Sequence, residues 1–191
     1  MSHKNIKVQS FVLIALFSTL MCIGAWIHFP FPVPATMQTF VVFTALGILG
    51  SKNTLIMLTV YVFLGVLGLP VFSGFTGGIG ALTGPTAGFI WGFLIGVPVF
   101  YIFEKKVPEK KSYIIIGYIL YILLHYIPGA LWYCYWTLGC LTVKGILSSS
   151  LVTVVPFVIP DAIKLILSLT LVGKLRRIGM QKKIIQRTGK S

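Results

Sequence analysis

The chain has 191 residues, of which 57% are hydrophobic and 10% charged, where soluble domains carry about a quarter charged residues. Sixteen Lys and Arg stand against three acids, Glu104, Glu109 and Asp161, for a net charge of +13. A basic balance alone suggests a nucleic-acid binder. A mean hydropathy of +0.96 leaves too little polar sequence to solvate a basic surface, so nucleic acid is excluded as a partner and the pattern is that of an integral membrane protein.

Met1 to Lys7 is a short polar, basic start, and residues 8–27 then carry no charge. That length crosses a hydrocarbon core of about 30 Å at about 1.5 Å per residue. Cys22 follows Leu20-Met21 rather than small residues, so no cleavage site is indicated and the segment is expected to remain a span. Prolines 30, 32 and 34 then forbid helix. Apolar sequence resumes from Met37 to Leu69, broken only by Ser51-Lys52-Asn53, and reads as two short spans, 36–50 and 54–69. Pro70 to Pro85 is a glycine-rich connector. A fourth span covers 86–103, followed by a charged hinge from Glu104 to Lys111 with four lysines. A fifth covers 113–137 and contains Pro128-Gly129. Gly139 to Val155, with Lys144 and three consecutive serines, suits a short interfacial helix. The last span covers 157–175, and 176–191 form a basic tail.

The charges decide between one long helix and two short ones over 37–69. With two, both termini share a side, and that side receives fourteen of the sixteen bases: Lys4, Lys7, Lys52, the four hinge lysines and the seven from Lys174 to Lys190. With one, the hinge and tail would lie outside, against the positive-inside rule. The expected fold is therefore a single all-α membrane domain over 1–191. It has six transmembrane helices in a compact bundle, both termini cytoplasmic. Trp26, Phe29 and Phe31, and Trp132, Tyr133, Tyr135 and Trp136, fall at outer span ends, where aromatic rings favour the headgroup level. Cys22, Cys134 and Cys140 are odd in number with no Cys-x-x-Cys pair, which argues against disulfide or zinc.

Two features stand out as candidate sites. Gly74, Gly77, Gly78, Gly80, Gly84 and Gly88 crowd the connector, and glycine permits tight turns and close approach to a ligand. No Lys-Ser or Lys-Thr closes a phosphate loop there, and Gly84, Gly88 and Gly92 have the spacing of close helix packing. The second is Pro156-Phe-Val-Ile-Pro160-Asp161-Ala-Ile-Lys164. Asp161 is placed at the start of the last helix, where an acid caps free N–H groups. Lys164 lies one turn on along the same face. A lysine within a span faces a cavity or a partner. Gln38, with Thr36 and Thr39, is a further polar candidate at the start of the second span. His28 and His125 lack carboxylate or thiolate neighbours in sequence, so no metal site is assigned. There is neither a Ser-His-Asp set nor a carboxylate pair, and the chain is not expected to be an enzyme.

Three stretches carry a resemblance: Pro32-Val-Pro-Ala-Thr-Met-Gln38, Gly68-Leu-Pro-Val-Phe-Ser-Gly-Phe-Thr-Gly-Gly-Ile-Gly-Ala-Leu-Thr-Gly-Pro-Thr86, and Pro156 to Lys164. In order and spacing they resemble the signature stretches of the BioY family, the biotin-specific S components of energy-coupling-factor (ECF) transporters. The resemblance implies a six-helix protein of the cell membrane whose pocket captures biotin from outside. It implies partnership with a coupling transmembrane subunit and two ATPase subunits, and no cofactor beyond the transported ligand. Its polar pair falls on Asp161 and Lys164, and its docking residues on helix one fall on Ala15 and Thr19. The connector glycines Gly78, Gly80 and Gly84, with Phe75, Phe89, Trp91, Gln38 and Thr36, are the other expected ligand contacts. The chain departs from the family in Pro160, where glycine is usual, and in Thr19, where alanine is common. An S component for thiamine or riboflavin, a membrane-embedded enzyme using Asp161 or His125, and a small channel are the competing readings.

Overall fold

A computed structural model of the chain describes residues 3–29, 31–106 and 111–188, with side chains described for 8–29, 31–106 and 114–178. Glu109, Lys110 and Lys190, and the side chains of Lys4, Lys7, Lys111, Lys182, Lys183 and Arg187, lie outside the described residues.

The described chain is helical apart from one small hairpin, the irregular connector and short turns. In order it forms α1 (His3–Trp26), strands β1 (His28–Phe29) and β2 (Ala35–Thr36), α2 (Gln38–Val66), a 3-10 turn (Ser73–Phe75), α3 (Ile79–Thr83), α4 (Ala87–Lys106), α5 (Lys111–Leu138), α6 (Val143–Thr153) and α7 (Val155–Thr188). The strands pair antiparallel, His28 with Thr36 and Phe29 with Ala35, across the proline-rich turn.

α2 is not a straight rod. Gln38 Nε2 donates to Tyr61 Oη at 2.7 Å, whereas 23 residues of continuous helix would separate them by about 35 Å. The chain turns back at Gly50, whose φ of 73° and ψ of 165° lie outside helical space. That backbone region is open essentially to glycine alone. Residues 38–49 and 51–66 are thus two antiparallel arms. Five helices among the described residues are long and apolar enough to cross a membrane, with α2 counted once. Taken singly, the arms reach only about 18 and 24 Å.

Contacts fix the direction of each rod. Ser18 Oγ donates to Met57 O at 3.2 Å and Trp26 Nε1 to Pro70 O at 2.9 Å, so α1 runs alongside the second arm in the same sense. Thr44 Oγ1 donates to Ser168 Oγ at 3.1 Å and Arg176 donates to Gly47 O at 2.7 Å, so the first arm runs parallel to α7. α4 packs antiparallel on α5 at very close range. A Cβ on Gly92 would stand 2.6 Å from His125 O, and one on Gly88 2.3 Å from Trp132 Cβ. Ser51 Oγ donates to a Glu104 carboxylate oxygen, which places the Gly50 turn beside the C-terminal end of α4.

The outward faces are apolar. On α5, Ile115, Ile119, Leu123 and Ile127 form an exposed stripe, a surface that suits hydrocarbon rather than water. The polar side chains point inward instead: Gln38, Thr39, Thr44, Asp161, Lys164 and Ser168 are all buried.

One local expectation changes. The last helix begins at Val155, so Asp161 lies in its second turn and does not cap its start. Only Val154 separates α6 from α7. Pro156 fits the first turn, and Pro160 forfeits only the bond that its missing N–H would have made to the residue 156 carbonyl. The helix runs through it. The short helix foreseen in 139–155 is α6, with Thr142 Oγ1 capping Gly145 N at 3.1 Å.

Gly50→Ala is expected to destabilise the protein by about 1–3 kcal/mol, because alanine is strained at that backbone conformation. No atom lies within 4 Å of a Cβ placed there, so the loss is conformational rather than steric. Thermal unfolding in detergent measures it.

Candidate ligand-binding site

A cavity of about 460 Å³ lies between α2, α4, α5, α7 and the glycine-rich connector. That volume falls within the range of small-molecule sites. Asp161 and Lys164 project into it from α7, 3% and 8% exposed. Their spacing on one helix face brings Lys164 Nζ within 2.8 Å of Asp161 Oδ1.

The pair is completed by other elements. Lys164 Nζ also donates to Thr36 O at 2.6 Å and to Thr39 Oγ1 at 3.2 Å, which engages all three ammonium hydrogens. Thr39 Oγ1 donates to Asp161 Oδ1 at 2.7 Å, and Tyr126 Oη donates to Asp161 Oδ2 at 2.6 Å. A buried ion pair repays its desolvation only when its remaining hydrogen-bonding capacity is met, and here β2, α2 and α5 each supply a partner. The lysine's capacity is exhausted. The carboxylate retains one lone-pair site, on Oδ2, so the cluster offers an incoming ligand an acceptor rather than ammonium donors.

A second polar strand runs beside it. Gln38 Nε2 donates to Tyr61 Oη, which donates to Val71 O at 3.2 Å. Gln38 Oε1 accepts from Thr36 Oγ1 at 3.0 Å. The aromatic wall is Phe89, Phe93 and Phe157, with Phe72 facing in from the connector. Among the described residues no group of His, Cys, Asp and Glu is placed to hold a metal ion.

Of the residues singled out from sequence, Asp161, Lys164, Thr36, Gln38, Gly80, Gly84 and Phe89 line this cavity. Three do not. Phe75 is 61% exposed and stacks on Trp26 with ring centroids 5.0 Å apart. It sits in a turn whose backbone is left-handed at both Gly74 and Phe75. Phe72 takes the inward place, its ring over Gly65 and edge-on to Tyr61. Trp91 lies on the outward side of α4, where its Nε1 donates to Leu82 O at 3.2 Å. Gly78 is spent on connector geometry, with its N–H bonded to Gly65 O at 2.7 Å. Ala15 and Thr19 are both exposed on α1, with Thr19 Oγ1 bonded to Ala15 O.

Tyr61, Phe72, Tyr126 and His125 were not foreseen as lining residues. An apolar helix rich in tyrosine gives no sign of which ring faces inward. Thr39 was visible beside Gln38, but its carboxylate partner lies 122 residues away.

The connector is braced by indoles. Trp26, Trp91 and Trp132 donate to the carbonyls of Pro70, Leu82 and Gly84 respectively. These rings hold the irregular backbone that forms one cavity wall.

Tyr126→Phe removes one hydrogen bond to a buried carboxylate. A loss of about 1.5–3 kcal/mol of stability is expected, read as a lowered unfolding midpoint in detergent.

A model of the BioY family matches residues 1–181. A biotin transporter BioY of Thermotoga maritima is 33% identical over 87% of this chain and 95% of its own length. A probable biotin transporter BioY of Pyrococcus horikoshii is 34% identical over 83% of this chain and 90% of its own. A solved structure of the S-component for biotin from an ECF-type ABC transporter superposes with a TM-score of 0.76 at 25% identity, covering 93% of this chain and 95% of that one.

Proposed function

The chain belongs to the BioY family, and we propose that it is a biotin-capturing S component, a transport protein and not an enzyme. The observation that carries this reading is the buried Asp161–Lys164 cluster on the wall of an apolar cavity. The ureido ring of biotin presents two N–H donors and one carbonyl. Asp161, with one unspent lone-pair site and no unspent ammonium beside it, suits a ureido N–H better than the valerate carboxylate. The apolar remainder of the bicyclic head suits Phe89, Phe93 and Phe157. The valerate then points toward the connector, where Gly80 and Gly84 leave room.

The chain is a multi-pass membrane protein, and we place it in the cell membrane as one domain over 1–191. Both arms of α2 cross in this reading, which gives six passes and cytoplasmic termini. The described bases support it. Lys52, Lys105, Lys174 and Arg176 gather at the Gly50 end of the bundle, marked by Ser51–Glu104 and Arg176–Gly47. Lys144 belongs to α6 at the opposite end. The cavity then opens outward. Energy comes from a partner module, a transmembrane coupling subunit with two ATPase subunits, docking on the α1 face that carries Ala15 and Thr19.

Small molecules released from the purified protein are expected to include biotin on mass spectrometry, and equilibrium binding is expected to prefer biotin to thiamine and riboflavin. Asp161→Asn and Lys164→Ala each weaken biotin binding by at least about 30-fold, since truncating a buried hydrogen-bonded ion pair costs about 2–5 kcal/mol. Unchanged affinity in both folded variants would remove the pair from the site, and preference for another vitamin would overturn the assignment.

A further inference from the structure

His125 takes no part in the binding scheme above. It lines the same cavity on α5 and is 4% exposed. Its Nδ1 is buried and has no hydrogen-bond partner. The ring is firmly placed all the same. It stacks on Phe93 with centroids 4.1 Å apart and planes 21° apart, and Phe89 meets it edge-on at 5.5 Å. The close approach of Gly92 to the His125 backbone sets where α5 carries it. The next residue, Tyr126, holds the free oxygen of Asp161.

A buried polar atom without a partner is costly, and native structures keep few of them. One on a side chain that lines a ligand cavity is explained if the ligand completes it. The surrounding chemistry says what a urea would still lack. Lys164 is fully engaged, and the hydroxyls of Thr36, Thr39, Tyr61 and Tyr126 donate to Gln38, Asp161, Val71 and Asp161 respectively; Ser73 Oγ, among the described residues the other buried lining atom without a partner, lies on the connector, toward which the valerate is placed. Asp161 meets one N–H of a cyclic urea, while the urea carbonyl still needs a donor. A neutral imidazole carries one N–H donor and one acceptor. In the Nδ1–H tautomer the unpartnered atom is the donor.

We propose that His125 donates a hydrogen bond to the carbonyl oxygen of the ligand's cyclic urea, and so selects for a urea head alongside Asp161. This rests on the biotin reading and names a further residue of that site.

Two measurements on the full chain test it. The sequence holds three histidines, so ¹⁵N-histidine labelling gives a simple spectrum, with His125 assigned by its loss in His125→Phe. Saturating biotin shifts the ring nitrogens of His125. In equilibrium binding, His125→Phe keeps the aromatic stack and removes both nitrogens. Its Kd for biotin rises about tenfold or more, and by the same factor for desthiobiotin, which lacks the sulfur, and for biotin methyl ester, whose carboxylate is blocked. An unchanged Kd in folded His125→Phe overturns the proposal, as do wild-type His125 signals that stay fixed at saturation. A penalty that vanishes with the methyl ester also overturns it, because His125 would then face the valerate. If the variant does not fold, the His125 line is assigned with His3→Gln and His28→Gln, and the wild-type spectrum decides. A wild-type protein that binds no biotin defeats the binding reading itself, a result distinct from one that binds biotin and leaves His125 unmoved.

Discussion

The interior of this protein is organised around a charge pair that hydrocarbon would reject. Asp161 and Lys164 share one face of α7. An isolated helix could match them to each other but not satisfy the rest of their hydrogen bonds. Those bonds come from Thr36, Thr39 and Tyr126. Each lies on a different element from the pair, so β2, α2 and α5 must converge on one point of α7. In a membrane the cost of leaving such groups unmet is high, and charges inside spans turn inward for that reason. The neutral, closed cluster that results is both an anchor for the bundle and the polar floor of a cavity.

The reversal at Gly50 makes this convergence possible. Were α2 continuous, it would span the bilayer and carry Tyr61 about 35 Å from Gln38. Turned back, it sets Gln38 and Tyr61 in contact and returns the chain to the cavity end, where the connector begins. Arg176 and Glu104 tie the turn region to α7 and α4. The far end of the bundle is thereby joined to the elements that line the cavity.

The connector has a different problem. Its backbone is irregular, with left-handed residues at Gly68, Gly74 and Gly78, and irregular backbone near a membrane is tolerated only where protein or a cavity receives its polar groups. Three indole N–H groups do part of this work, from α1, α4 and α5. The glycines of α4 have the complementary role, bringing α4 and α5 close enough for Trp132 to reach Gly84 and for His125 to sit on Phe93.

The sequence by itself determined the class of the protein. Long uncharged runs, bases confined to particular segments and one acid–base pair within a span are one-dimensional facts, and they set a membrane bundle and its polar centre. Asp161 and Lys164 were legible because the helical period alone puts residues three apart on one face. Thr36, Gln38, Gly80, Gly84 and Phe89 were legible from the stretches that carry them. Phe75, Trp91 and Gly78 do not line the cavity, since the side a ring faces depends on the left-handed turn at Gly74 and on the rotation of α4. The start of α7 is not legible from Pro160, because proline's cost depends on which carbonyl it leaves unpaired. Tyr126, Thr39 and His125 took on meaning only in the folded bundle. Hydrogen bonds across more than thirty residues have no periodic signature, and helix packing decides which of several tyrosines reaches a carboxylate.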